Sequence, residues 1–226
     1  MLDLQHIGVP IKPATPDVTP QVTQILDFKP DVIIFSGQGA DCWNLIDGLG
    51  RQGWTPDQVP IIMSSPCIDF EKMKAAGDLA KGIYFTSSAG ANLTNPDAIT
   101  DPRQKLEATT YVTKAAEYDM PATDITKGYG AQGWSLLMTV WEQAGIVANS
   151  GAELTPEAFA AQMKGTHDNH INGSVPFGCA DAPEPYTAVC NSKVSLVQWD
   201  GEKLNIVIPV YSGIDLVAGT ELKPGP

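Results

Sequence analysis

The sequence predicts an α/β fold, a parallel sheet with flanking helices closed by a C-terminal β-hairpin. Three observations predict it. Strand-like and helix-like segments alternate through the first hundred residues. One of the strand-like segments, residues 31–35, is largely a continuous apolar run, the pattern of a strand covered on both faces. Near the end, Asp200-Gly201 separates two alternating segments, a type I′ hairpin signal.

The elements follow in order. Residues 7–11 read as a short strand. Thr19 then caps a helix with Pro20 at its first position, and Val22, Ile25 and Leu26 form its apolar stripe. After the strand at 31–35 comes a helix over 41–49, with Leu45, Ile46 and Leu49 facing inward. A strand at 60–63, a helix at 69–76 and a strand at 81–86 continue the rhythm, which builds βαβ units and a parallel sheet.

Then the rhythm changes. A long helix over 102–118 is capped by Asp101. A second, over 129–144, carries Leu136, Leu137, Val140, Trp141 and Ala144 and ends at Gly145. Thr155-Pro156 opens a third, with Phe159 and Met163 on one face. No strand of comparable strength interrupts them, so this helical middle is expected to pack against something other than the first sheet. Strands at 194–199 and 202–208 then flank Asp200-Gly201. No internal repeat is evident, which excludes a solenoid.

The composition is that of a globular chain. Of 226 residues, 43% are hydrophobic and 18% charged, a balance that argues against disorder. Apolar runs such as Val32-Ile33-Ile34-Phe35 are far too short to span a bilayer. No cationic N-terminus followed by an apolar stretch is present, so any secretion signal is expected outside this sequence. The formal net charge is -12, with a pI near 4.5. Such a surface repels phosphate backbones and anionic membranes, so no nucleic-acid partner is expected; the acidity also reads as plain solubility.

Four cysteines carry information. Cys179 and Cys190 bracket a Pro-containing stretch without helical or strand period, which a disulfide would pin by about 3 kcal/mol in the chain-entropy model. Neither has a CxxC partner, and His167 and His170 lack finger spacing, so a metal is the weaker reading. A disulfide here implies an oxidising compartment. Cys42 and Cys67 each lie just beyond the carboxyl end of a strand expected to be adjacent to the other's. They read either as a second disulfide or as two buried thiols.

Ligands of open α/β sheets bind outside the carboxyl ends of the strands. Those ends are Ser36, Gly37, Gln38 and Gly39 after the first buried strand, Ser64, Ser65 and Pro66 after the second, and Ser87-Ser88 after the third. They offer hydroxyls, an amide and backbone N–H groups at a helix N-terminus, a lining for a small polar solute. Serine and glycine are also simply what βα turns contain. The Ser36–Asp41 stretch lacks the third glycine of a dinucleotide fingerprint, Cys42 standing there. The literal G-x-G-x-x-G at 128–133 follows a polar segment instead of a strand.

A nucleotide-dependent α/β enzyme is therefore the lesser alternative, and no cofactor is expected. Catalytic machinery is sparse. None of His6, His167 and His170 falls in a βα loop, no G-x-S-x-G elbow exists, and no pair of carboxylates suggests acid–base work. His167-Asp168-Asn169-His170 reads as a solvated loop more than as a metal clip. Of Trp43, Trp54, Trp134, Trp141 and Trp199, most are expected in the core.

The segments 16–22 (PDVTPQV) and 29–34 (KPDVII), followed by the Gly-rich loop, resemble the second lobe of type I periplasmic-binding proteins. These are the leucine/isoleucine/valine-binding proteins of branched-chain amino acid transporters. The segments 81–84 (KGIY), 129–134 (YGAQGW), 143–145 (QAG), 155–159 (TPEAF) and 198–201 (QWDG) fit the same pattern in order and spacing. The cysteine-bearing loop is similar to versions from actinobacteria.

The resemblance implies a two-lobed fold. Residues 1–100 would supply βα units of lobe 2, 101–175 helices of lobe 1, and 176–226 the disulfide loop and a hairpin returning to lobe 2. It implies that the chain starts in the middle of the fold, and that it is an extracytoplasmic solute-binding protein, a lipoprotein or secreted, serving the membrane permease of an ABC importer. A sensor or receptor ectodomain of the same fold is the alternative role. Ligand contacts carried over fall near Gln38 and Gly39 and near Pro66 and Cys67. The acidic residue with which amino-acid binders of the family often hold the ligand's ammonium is missing from 64–68, Asp69 being nearest.

Overall fold

Alternation in the first hundred residues becomes a sheet. The computed structural model describes residues 5–87, 96–99, 101–121, 125, 128–167, 177–182, 190 and 193–212. Strands β1 (Ile33–Phe35), β2 (Ile61–Met63), β3 (Tyr84–Ser87), β4 (Lys193–Trp199) and β5 (Leu204–Ser212) lie side by side in that order. β1 and β2 are parallel, with Ile33 opposite Ile61 and Phe35 opposite Met63; β2 and β3 are parallel, with Met63 opposite Phe85. Parallel neighbours need a crossover. Helix α2 (Ala40–Arg51) supplies the first and α3 (Phe70–Ala76) the second, while α1 (Thr19–Asp27) precedes the sheet.

The chain divides into two units. The first holds the described residues of Met1–Ser87 together with Leu196–Pro209. Its core contains Ile46 and Leu49 of α2 with Ile61, Met63, Ile83 and Phe85, all fully buried. Each such side chain contributes roughly 1.5–3 kcal/mol of transfer free energy. Trp199, also buried, meets Phe70 edge-on, the ring centroids 5.3 Å apart. Pro209 falls in β5, the last strand in the sheet order, the kind of position to which proline within sheets is confined.

The second unit, within Ser88–Ser195, is built on α4 (Pro102–Glu117), α5 (Gly128–Asn149) and α6 (Pro156–Lys164). Asp101 caps α4 by accepting the Gln104 N–H at 2.8 Å, and Thr155 caps α6 by accepting the Ala158 N–H at 3.1 Å. A core of Ala108, Tyr111, Ala115, Ile125 and Ala131 joins α4 to α5. Within it the Tyr111 hydroxyl donates to the Ile125 carbonyl at 2.8 Å, and burial pushes the phenol's pKa up.

Five expectations are corrected. Residues 7–11 form no strand; Pro10 lacks the N–H a ladder needs, and Ile7 is exposed. β1 is covered on one side only, Ile33 being buried and Ile34 76% exposed. The α1 cap lies upstream of Thr19, whose N–H and hydroxyl both donate to Asp17 Oδ1, at 3.0 and 2.6 Å, and so hold that carboxyl below its ordinary pKa.

Gly145 does not end α5, which runs to Asn149. The residues after Gly145, Ile146 and Val147, continue the apolar pattern, and Gly151 with φ 83° marks the exit. The hairpin forms, but through four residues, Asp200 to Lys203, instead of a two-residue type I′ turn. Of these four only Gly201 takes a positive φ, because Asp200 Oδ1 grips the N–H groups of Glu202 and Lys203 at 2.8 and 2.9 Å.

Candidate functional site

The parallel strands end at one edge of the sheet, the edge outside which open α/β sheets in general bind ligands. Two loops there hold the eight residues singled out from the sequence, 36–39 after β1 and 64–67 after β2, and the structure brings them side by side. The Ser64 N–H extends the ladder to the Phe35 carbonyl at 3.1 Å, and the Gly39 N–H reaches the Pro66 carbonyl at 3.4 Å. The Ser64 hydroxyl donates to the Gly37 carbonyl at 2.8 Å and accepts the Gly37 N–H at 3.2 Å.

The eight residues separate by exposure. Ser36, Gln38 and Gly39 are exposed, Gly37, Ser64 and Pro66 half-buried, and Ser65 and Cys67 buried. Glycine matters at two of these positions, for different reasons. A side chain at Gly37 would need the Phe35 ring to move aside. Gly39, with φ 54° and ψ −129°, occupies a backbone region that residues bearing a Cβ rarely adopt. At the third strand end, Ser87 closes β3 and Ser88 lies outside the described residues.

Cys42 and Cys67 form a disulfide, with Cα atoms 5.6 Å apart and both residues fully buried, which resolves the choice between a bridge and two thiols. Cys179 and Cys190 form the other, and the Gly178 N–H donates to the Cys190 carbonyl at 3.0 Å beside it. Residues 183–189 between those cysteines lie outside the described residues.

The acids that flank the two loops in sequence are engaged. Asp41 accepts the Ala14 N–H at 2.9 Å, and Asp69 caps α3 by accepting the Lys72 N–H at 3.1 Å. The literal G-x-G-x-x-G forms the first residues of α5, and the described residues between α4 and α5 form no strand to precede it, as a dinucleotide fingerprint requires. His6 and His167 are exposed, and His170 lies outside the described residues. Among the described residues no cluster of three or more His, Cys, Asp or Glu is placed to hold a metal, and no helix is long and apolar enough to cross a membrane. Trp43, Trp54 and Trp199 are buried and Trp134 half-buried, as expected of most of the five, while Trp141 is 77% exposed.

The link between Ser64 and Gly37 was not foreseen. It joins residues 27 apart, and only the register of β1 on β2 brings them together, so no local pattern announces it.

The family model of the periplasmic binding proteins matches residues 3–203. The chain belongs to this family. Its α/β sheet and flanking helices are those of the type I periplasmic-binding fold. No curated protein sequence matches it significantly.

Among solved periplasmic-binding structures, a leucine binding protein from Thermotoga maritima superposes with TM-score 0.62 at 15% identity, covering 91% of this chain and 51% of that one. A branched chain amino acid ABC transporter protein from Thermus thermophilus, with bound valine, gives 0.66 at 11%, covering 97% and 55%. A fatty acid ABC transporter substrate-binding protein from Thermomonospora curvata gives 0.65 at 18%, covering 95% and 51%. At such identities the likeness speaks for the fold alone. The chain spans about half the length of these binding proteins.

Proposed function

We propose that this chain is the later part of an extracytoplasmic solute-binding protein, which captures a small polar molecule for the permease of an ABC importer and performs no chemistry on it. The observation that carries the reading is the pairing of the two loops at the carboxyl ends of β1 and β2. Ser36, Gln38 and Gly39 offer a hydroxyl, an amide and backbone groups to solvent. Gly37, Ser64, Ser65, Pro66 and Cys67 form the frame behind them. Two disulfides support an oxidising compartment.

The solute class follows from charge. Asp69, the acid nearest the second loop, uses one carboxylate oxygen to cap α3, and residues 64–68 themselves carry no carboxylate for an ammonium group. That favours a small organic acid or neutral polar solute over an α-amino acid.

Helix α5 supports the placement of residues 101–175 in a lobe that needs more chain than is present here. Its polar Thr139 and Gln143 are buried, at 6% and 3% exposure, while Leu137 and Trp141 face solvent at 69% and 77%. Gln143 Oε1 accepts from Gln162 Nε2 on α6 at 2.9 Å, which satisfies one inward polar group. An apolar stripe on the open side of a helix calls for a covering layer. The half of the binding-protein fold that this chain does not span would supply it, and capture would then proceed by closure of two lobes.

Isothermal titration against amino acids, small carboxylates and aromatic acids tests the proposal. A protein completed to its relatives' length should bind one class tightly, and the 226-residue chain weakly or not at all. Tight binding by the chain alone, or stabilisation by NAD or ATP and by no organic acid, would overturn it.

A further inference from the structure

We propose that the Cys42–Cys67 disulfide is a positioning element of the solute site, holding loops 36–39 and 64–67 in one geometry before any solute arrives. The proposal rests on the solute-binding reading above and adds to it which covalent feature organises the site.

Polar links join the two loops, the Ser64–Gly37 pair first among them. Beyond the Ser64–Gly37 pair there is the Gly39–Pro66 hydrogen bond, long at 3.4 Å. Within its own loop, residues 36–39 are tied onward by the Asp41 N–H to the Gln38 carbonyl at 3.2 Å. Loops at the end of a sheet open locally at lower free-energy cost than its core strands.

The disulfide changes that because of where its ends sit. Cys42 lies in the first turn of α2, three residues beyond Gly39, and Cys67 is the last residue of the 3₁₀ turn Ser65–Cys67. The constraint therefore acts on the loops themselves and not on a remote strand. Cys67 Sγ also lies 3.6 Å from the Gly37 carbonyl oxygen and 3.7 Å from Ser64 Oγ, directly against the pair that joins the loops. Both half-cystines are fully buried, which withholds Cys67 from the solute and makes it part of the wall. A site fixed in advance loses less conformational entropy on binding.

Site-resolved amide hydrogen exchange on the 226-residue chain tests this without a ligand. In Cys42→Ala/Cys67→Ala, the Gly37 and Gly39 amides should lose protection by about tenfold or more, while the Val22 amide in α1 and the Ile33 amide in β1 keep theirs. If that variant does not fold, Cys42→Ala/Cys67→Val, which refills the buried volume, takes its place. Unchanged loop exchange, or a uniform rise across the whole unit, overturns the proposal and leaves the bridge a general staple. Loosened loops together with failed solute titrations of the protein completed to its relatives' length would overturn the solute-binding reading while the clamp stands; unchanged loop exchange with successful titrations of that protein would do the reverse.

Discussion

The Ser64 hydroxyl satisfies both polar groups of Gly37, donating to its carbonyl at 2.8 Å and accepting its N–H at 3.2 Å. One side chain thus replaces the ladder where β1 gives way to its loop. Ser64→Ala strands a half-buried donor and acceptor and should destabilise the chain by about 1–2 kcal/mol, with Ser64→Thr closer to wild type. Urea unfolding measures it. A wild-type midpoint in Ser64→Ala would mean that water replaces the hydroxyl without cost.

Gly39 and Gly133 should respond to alanine with opposite signs. A Cβ at either meets nothing within 4 Å, so crowding does not enter. Gly39 has φ 54° and ψ −129°, and alanine there should cost on the order of 1–3 kcal/mol of backbone strain. Gly133 lies inside α5 with an ordinary φ, and alanine should stabilise by roughly 0.5–1 kcal/mol. Thermal unfolding of the two single variants against wild type decides; equal shifts would refute the argument.

What the sequence made legible follows the range of the interactions. Helix α2, with Leu45, Ile46 and Leu49 inward, is a local period and was readable to within two residues. The Cys42–Cys67 bridge was half-readable: strand adjacency put the two thiols near each other, but only the folded loops close the bond. The orientation of α5 was not readable. Apolar side chains occur around most of that helix, so the period identifies a helix without saying which side turns inward, and here the inward side includes Thr139 and Gln143. Ile34 escaped for a related reason: an unbroken apolar run implies cover on both faces but cannot say whether the same chain provides it. The Asp-Gly signal located the hairpin and missed its length, because the Asp200 carboxylate competes for the turn's N–H groups.

The exposed stripe of α5 gives a test in two contexts. In the 226-residue chain, Leu137→Glu and Trp141→Glu replace solvent-facing side chains and should change stability by no more than about 0.5 kcal/mol. In a protein completed to the relatives' length the same positions would be covered, and each charge should cost about 2–4 kcal/mol. Chemical denaturation of both proteins compares them. Equal effects in the two contexts would remove the stripe as the place where the rest of the fold docks.

Asp200 gives the hairpin a pH dependence whose sign is fixed by its partners. The N–H groups of Lys203 and Glu202, then the Asn205 side-chain amide at 2.7 Å, stabilise the carboxylate and lower its pKa from 3.8 to about 2. A carboxyl more acidic in the folded state than in the unfolded one adds stability above its unfolded value. That stability fades as pH falls from about 4 towards 2. Asp200→Asn should therefore be less stable than wild type at pH 6, and the gap should close across that interval. The side chain is exposed and the effect modest, so the closing of the gap is the quantity to follow. Thermal melts of both proteins at pH 6, 4, 3 and 2.5 measure it, and a gap that stayed constant down to pH 2.5 would mean the carboxylate's charge plays no part in the turn.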